Sequence, residues 1–112
     1  MKIKIRHKHW LPKLIRVNGI TVYPYILLRD EPKNVKKHTY KHELQHCYQV
    51  EEIGWFSFYI SYLLYYLAGL LRYESNYYAY QKIPYEVEAY DIEETSINNK
   101  DNEILKREGI KV

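Results

Sequence analysis

Between Ile53 and Leu71 the chain reads IGWFSFYISYLLYYLAGLL, nineteen residues without one charge. As a helix this run is about 28 Å long, enough to cross the hydrocarbon core of a bilayer. In a chain of 112 residues, such a segment dictates the architecture. Either it spans a membrane, or it is a buried or partner-covered helix around which the rest is arranged. Its tyrosines, Tyr59, Tyr62, Tyr65 and Tyr66, fall mid-run, whereas membrane tyrosines gather at the interfaces. The reading is therefore a covered helix in a soluble domain and no membrane span. Two membrane roles stand against it: peripheral contact with lipid through its apolar face, and a small membrane protein anchored by Ile53–Leu71.

The remaining composition is that of one ordinary folded domain, residues 1–112: 46% hydrophobic and 28% charged, within reach of a single core. Fourteen tyrosines against two phenylalanines mean that many rings must bring a hydroxyl to water or to a partner. Cys47, the only cysteine, excludes an intramolecular disulfide and a thiolate metal cluster and reads as a small buried hydrophobe. Met1 to Arg16 alternates charge with apolar residues and has no continuous apolar stretch of the secretory kind. The expected location is cytoplasmic. The basic start, KIKIRHKH, has the period of a strand with one wet face, with Ile3 and Ile5 inward. It lacks interleaved aromatics and a glycine-rich loop, so no nucleic-acid partner is expected.

The first third predicts an antiparallel sheet. Leu14–Val17 and Ile20–Leu28 flank Asn18-Gly19, a strong hairpin signal. Pro24 inside YPYILL cannot donate to a ladder, which predicts an edge strand there. After the charged connector RDEPKNVKK, a helix is predicted over His38–Glu52, ended by Gly54. A second follows over Trp55–Arg72 and a third over Tyr85–Thr95, with Pro84 in its first turn. The tail is polar, with one short helix near Glu103–Arg107. The fold class expected is α+β: a small antiparallel N-terminal sheet followed by three helices.

The first of those helices carries HELQH, from His42 to His46. Residues four apart lie one above the other on a helix, so His42 and His46 can present both imidazoles to one zinc ion. Glu43 can reach a water in the open coordination position and act as general base. With the histidine and glutamate content of this chain, the pattern is expected about 0.02 times by chance. A catalytic zinc wants a third protein ligand. His7, His9 and His38 all lie upstream. Downstream, IPYEVEAYD offers Glu86 and Glu88, about 200° apart on a helix, so only one can face the metal. Glu86 is preferred because Ala89 on its face lets the two helices approach. A spanning Ile53–Leu71 helix would leave HELQH and Glu86 on opposite sides of the bilayer, with Arg72, Glu74, Asn76 and Lys82 to be drawn back through lipid.

HELQH followed by a Glu-x-x-Ala helix resembles the zincin metallopeptidases, in particular the gluzincins. From YPYILLRD through IPYEVEAY, roughly residues 20–95, the chain is similar to short uncharacterised HExxH proteins of phages and bacteria. The resemblance implies a zincin-like fold, His42, His46 and Glu86 as zinc ligands, Glu43 as general base, and a peptide or protein substrate added as a strand along the YPYILL edge. Two departures stand out. Many gluzincins place Asp four residues after the glutamate ligand, where this chain has Tyr90, with Asp91 one position off. No histidine follows His46 to stabilise an oxyanion, and Tyr77, Tyr78, Tyr80, Tyr85 or Tyr90 would have to serve as donor. Two functions therefore compete: a zinc metallopeptidase, and a catalytically idle zinc-stabilised structural or binding protein, such as a phage assembly component.

Overall fold

The alternation in KIKIR produces a strand: β1 (Lys4–Arg6) turns Ile5 inward and leaves Lys4 and Arg6 exposed. The structure, a computed structural model, describes residues 2–73, 75–93 and 95–110. The class is α+β, with a three-stranded sheet and several helices.

The sheet is mixed rather than antiparallel. After β1 the chain crosses through α1 (Trp10–Leu14), where His9 Nδ1 accepts the Leu11 N–H at 3.1 Å. It returns in β2 (Gly19–Val22), then β3 (Tyr25–Leu28), in the order β1-β3-β2. β3 pairs parallel with β1 and antiparallel with β2. The hairpin turns at Tyr23-Pro24 and not at Asn18-Gly19. Instead, the Asn18 carbonyl accepts the Arg29 N–H at 3.0 Å and prolongs the ladder. Leu14, expected in a strand, closes α1. Pro24 sits in the turn, where its missing N–H costs nothing and its carbonyl accepts from Lys4 at 2.8 Å. The strand beyond it is therefore proline-free and can occupy the centre of the sheet. The YPYILL arm is thus no edge; β1 and β2 are the edges.

α2 (Lys37–Ile53) is the centre of the molecule. Tyr40, Leu44 and Cys47 pack with Ile26 and Leu28 of the sheet in one core. The N-terminal alternation also contributes Ile3 and Ile5, so burial of Cys47 and of this strand face follows the sequence reading. Gly54 ends α2 with φ +93°, a conformation that disfavours side chains with a Cβ. The chain then turns by 115° into α3 (Trp55–Arg72).

α4 (Asn76–Gln81) starts at Ser75, whose hydroxyl accepts the Tyr77 N–H at 3.1 Å. α5 (Pro84–Glu93) begins on the proline, whose fixed φ suits a first turn. α6 (Asn99–Arg107) has a full capping box between Asn98 and Asp101. The described residues hold six α-helices: α2, α3 and α5 match the three expected, α6 contains the short tail helix, and α1 and α4 are additional. Charges dominate the tail's composition, but Asp101, Ile104 and Leu105 share one face and are buried. Lys41 of α2 reaches Asp101 at 2.5 Å, and Tyr48 donates to the same carboxylate, fastening α6 to α2.

Among the described residues, no single helix is long and apolar enough to cross a membrane. The long apolar helix is not buried either: only Phe58 and Gly69 of α3 are inaccessible.

Candidate metal centre

Helix period sets the two imidazoles one turn apart on α2, and α5 crosses directly over them. Ala89 at the crossing is fully buried, the close approach that a glutamate side chain needs to reach across. Glu86 Oε1 lies 2.9 Å from His42 Nε2 and 3.0 Å from His46 Nε2. The three ligand atoms all fall within 4.8 Å of one another, and the three residues are buried. Metal bonds of about 2.0–2.1 Å in tetrahedral array place ligand atoms roughly 3.3 Å apart, a little beyond the two imidazole–carboxylate separations of 2.9 and 3.0 Å. This buried His42–His46–Glu86 group can hold a metal ion. Glu88 is excluded from it: its carboxylate is outside, accepting from Gln45 at 2.5 Å and Gln49 at 3.1 Å. The upstream histidines stay apart as well, with His7 on the Tyr40 hydroxyl at 2.7 Å and His9 at the start of α1.

The far nitrogens decide which electrons face the pocket. His42 Nδ1 is 2.7 Å from Glu93 Oε2, and His46 Nδ1 is 2.8 Å from Gln49 Oε1. Both partners are acceptors, so each Nδ1 carries the proton. The neutral tautomer then points its Nε2 lone pair inward, the donor set a divalent cation requires. In the metal-free state the same nitrogens must bind a second proton to satisfy Glu86. Burial opposes the charge on His46, but the hydrogen bond and negative charge of Glu86 outweigh it and raise its pKa to about 9. His42 is raised for the same reasons, again against burial. Glu86 is driven well below the usual carboxylate range; burial resists, and the hydrogen bonds from both imidazoles prevail.

Glu43 sits beside the pair on α2, buried, and its pKa is raised, chiefly by burial. Thr21 of β2 holds it, its hydroxyl lying 2.9 Å from Oε1 and 3.1 Å from the Glu43 carbonyl. Gly19, two residues before, makes room: a Cβ there would come within 2.7 Å of Leu28 Cδ2 and 3.5 Å of Glu43 Cγ.

α3 closes the cluster. Tyr62 donates to Glu86 Oε2 at 2.7 Å, and the Phe58 ring lies 6.2 Å from His46. Tyr59 covers the β2 edge, donating to the Thr21 carbonyl at 3.1 Å and accepting from Tyr23 N–H at 2.9 Å. Of the five tyrosines considered as donors, Tyr90 packs edge-on against His42 at 4.6 Å and hydrogen-bonds Tyr80. Tyr85 is engaged with Ser61 at 2.6 Å, and Tyr77 and Tyr78 are exposed.

Thr21, Gln49, Tyr62 and Glu93 are absent from the motif reading. Glu93 carried a signal, since it lies seven residues from Glu86, two turns along the same face. Gln49 stands three after His46 on α2. Thr21 and Tyr62 come from distant elements and carried none. The chain matches no protein-family model, no curated protein and no solved structure.

Proposed function

We propose that this protein is a zinc-dependent metallopeptidase of zincin-like type, in which His42, His46 and Glu86 hold the ion and Glu43 is the general base. The observation that carries this reading is the convergence of three donors from two helices, with a carboxylate that is not a ligand beside them. Zinc bound there supplies Lewis acidity, which brings the pKa of a water toward neutrality and polarises a peptide carbonyl. Glu43, its basicity raised by burial, takes the proton from the attacking water and delivers it to the leaving amine. Thr21 fixes the carboxylate for both transfers. Glu93 and Gln49 keep the imidazoles in the Nδ1–H tautomer. An extended substrate would add to the edge of β2, next to Glu43, once Tyr59 withdraws from Thr21 and Tyr23.

The second reading, a zinc-stabilised protein without turnover, is favoured by one feature. Tyr62 occupies Glu86 Oε2 and Tyr59 occupies the strand edge, so the cluster is closed as it stands. Glu43→Gln separates the two. Zinc stoichiometry, measured by elemental analysis, stays at one per chain in both cases, whereas His46→Ala loses it. Cleavage of a peptide library falls by about 10²–10⁴-fold in Glu43→Gln if the carboxylate is the base. A wild-type protein that is fully zinc-loaded yet cleaves nothing in the library establishes the second reading.

A further inference from the structure

α3 has two unlike faces. One carries Phe58, Tyr59 and Tyr62, which close the metal cluster and the β2 edge, and Gly69, where an added Cβ would lie 3.1 Å from Ala79 of α4. The other is apolar and bare. Phe56, Ile60, Leu63, Leu67 and Leu70 follow one another at spacings of four, three, four and three residues, flanked by Leu64 and Leu71. These side chains are 36% to 94% exposed. Together they present on the order of 700 Å² of mostly apolar surface, well above the scattered exposure of a monomer and close to the roughly 800 Å² each partner buries in a standard interface.

The four-three alternation is the seam of a two-helix coiled coil, with isoleucine and leucine at one knob position and leucine and phenylalanine at the other. A lipid surface requires no such register, and helices that lie on membranes carry lysine and arginine opposite their apolar stripe. Here that opposite face is filled with tyrosine hydroxyls bonded within the chain. The ends also match a copy of the same helix. Exposed Glu52 precedes α3, and exposed Arg72 ends it. We infer that the outer face of α3 is the interface at which two copies of this chain pair antiparallel about a two-fold axis. Each Glu52 then meets Arg72 of the other copy, and each helix N-terminus lies beside a C-terminus. The pairing braces from outside the helix whose inner face carries Tyr59 and Tyr62. It is independent of whether the site holds zinc.

Sedimentation equilibrium of the full chain at roughly 100 µM tests this. The mass expected is twice the 13.7 kDa of one chain. Leu63→Glu with Leu67→Glu should reduce it to one chain with the helical circular dichroism intact. Glu52→Arg and Arg72→Glu should each weaken association several-fold, and the double reversal should restore it, because both cross-pairs re-form with opposite sign. If the glutamate variant does not fold, that charge series decides alone: recovery in the double reversal supports the antiparallel pair, and no recovery overturns it. A wild-type monomer overturns the proposal, whether it stays in solution or floats with phosphatidylcholine vesicles. So does a dimer that persists in the folded Leu63→Glu, Leu67→Glu protein.

Discussion

Lys41 and His42 are neighbours on α2, yet they belong to two buried polar clusters of opposite character. Lys41 reaches Asp101 of α6 at 2.5 Å, where Tyr48 and the Asn98 backbone N–H complete the carboxylate's partners. That cluster brings its own cation, attached to the chain, and is balanced as it stands. The cluster at His42 gathers Glu86 and Glu93, and among the described residues these two carboxylates form ion pairs only with imidazoles. An imidazole is a cation only while it holds a second proton. One cluster therefore carries its compensating cation on a lysine side chain, and the other has a place where a proton or a metal ion must supply it. Burial alone does not distinguish a structural clip from a binding site. The origin of the compensating charge does.

The contrast is broken or upheld most forcefully at Lys41. Lys41→Met leaves Asp101 buried without its cation, which should cost about 3–5 kcal/mol. Urea denaturation should show the same loss in zinc-loaded and metal-free protein, because the two clusters do not share a partner. A loss that depends on zinc would mean they are one network.

A smaller effect is expected on the other side of the helix. Glu93→Ala removes the carboxylate that orients His42 without removing a ligand. It should weaken zinc binding about 10–100-fold at unchanged stoichiometry, measured by competition with a chelating dye. Unchanged affinity would reduce the 2.7 Å contact of Glu93 with His42 to an incidental surface pair.

What the sequence revealed and what it hid divide along the same line. His42, His46 and Glu43 were legible because the helical period alone puts them on neighbouring rows. Glu86 was distinguishable from Glu88 because Ala89 marks the face that can approach another helix. The clip was hidden: Lys41 and Asp101 are 60 positions apart, and the tail's charges masked Ile104 and Leu105 as core. The sheet order was misread for a local reason. Asn18-Gly19 and Pro24 are both turn formers, and only the pairing of Arg29 with Asn18 shows which one turns the hairpin. The apolar run of α3 named a helix and its limits, but hydropathy does not tell a side chain buried in its own chain from one left bare.

The subtlest separation of the two clusters is a slope against pH. In the metal-free protein the folded-state pKa of His46 is about 9, against an ordinary value of 6.5. A raised folded pKa stabilises where the proton is bound in the folded state. Its contribution is therefore complete below pH 6.5 and is lost as pH rises toward 9, by at most about 1.4 kcal/mol per pH unit for one proton. Under the proposed function zinc should reverse the sign, because the ion would take the place of that proton and bind more tightly as the proton becomes easier to remove. Between pH 6.5 and 9 the melting temperature of the metal-free protein should fall, while the increment produced by saturating zinc should grow. Lys41→Met lowers both curves and should leave their slopes unchanged. Parallel slopes with and without zinc would mean that the ion and the proton do not compete for one place, and the imidazole pair would then be a clip of the same kind as Lys41 and Asp101.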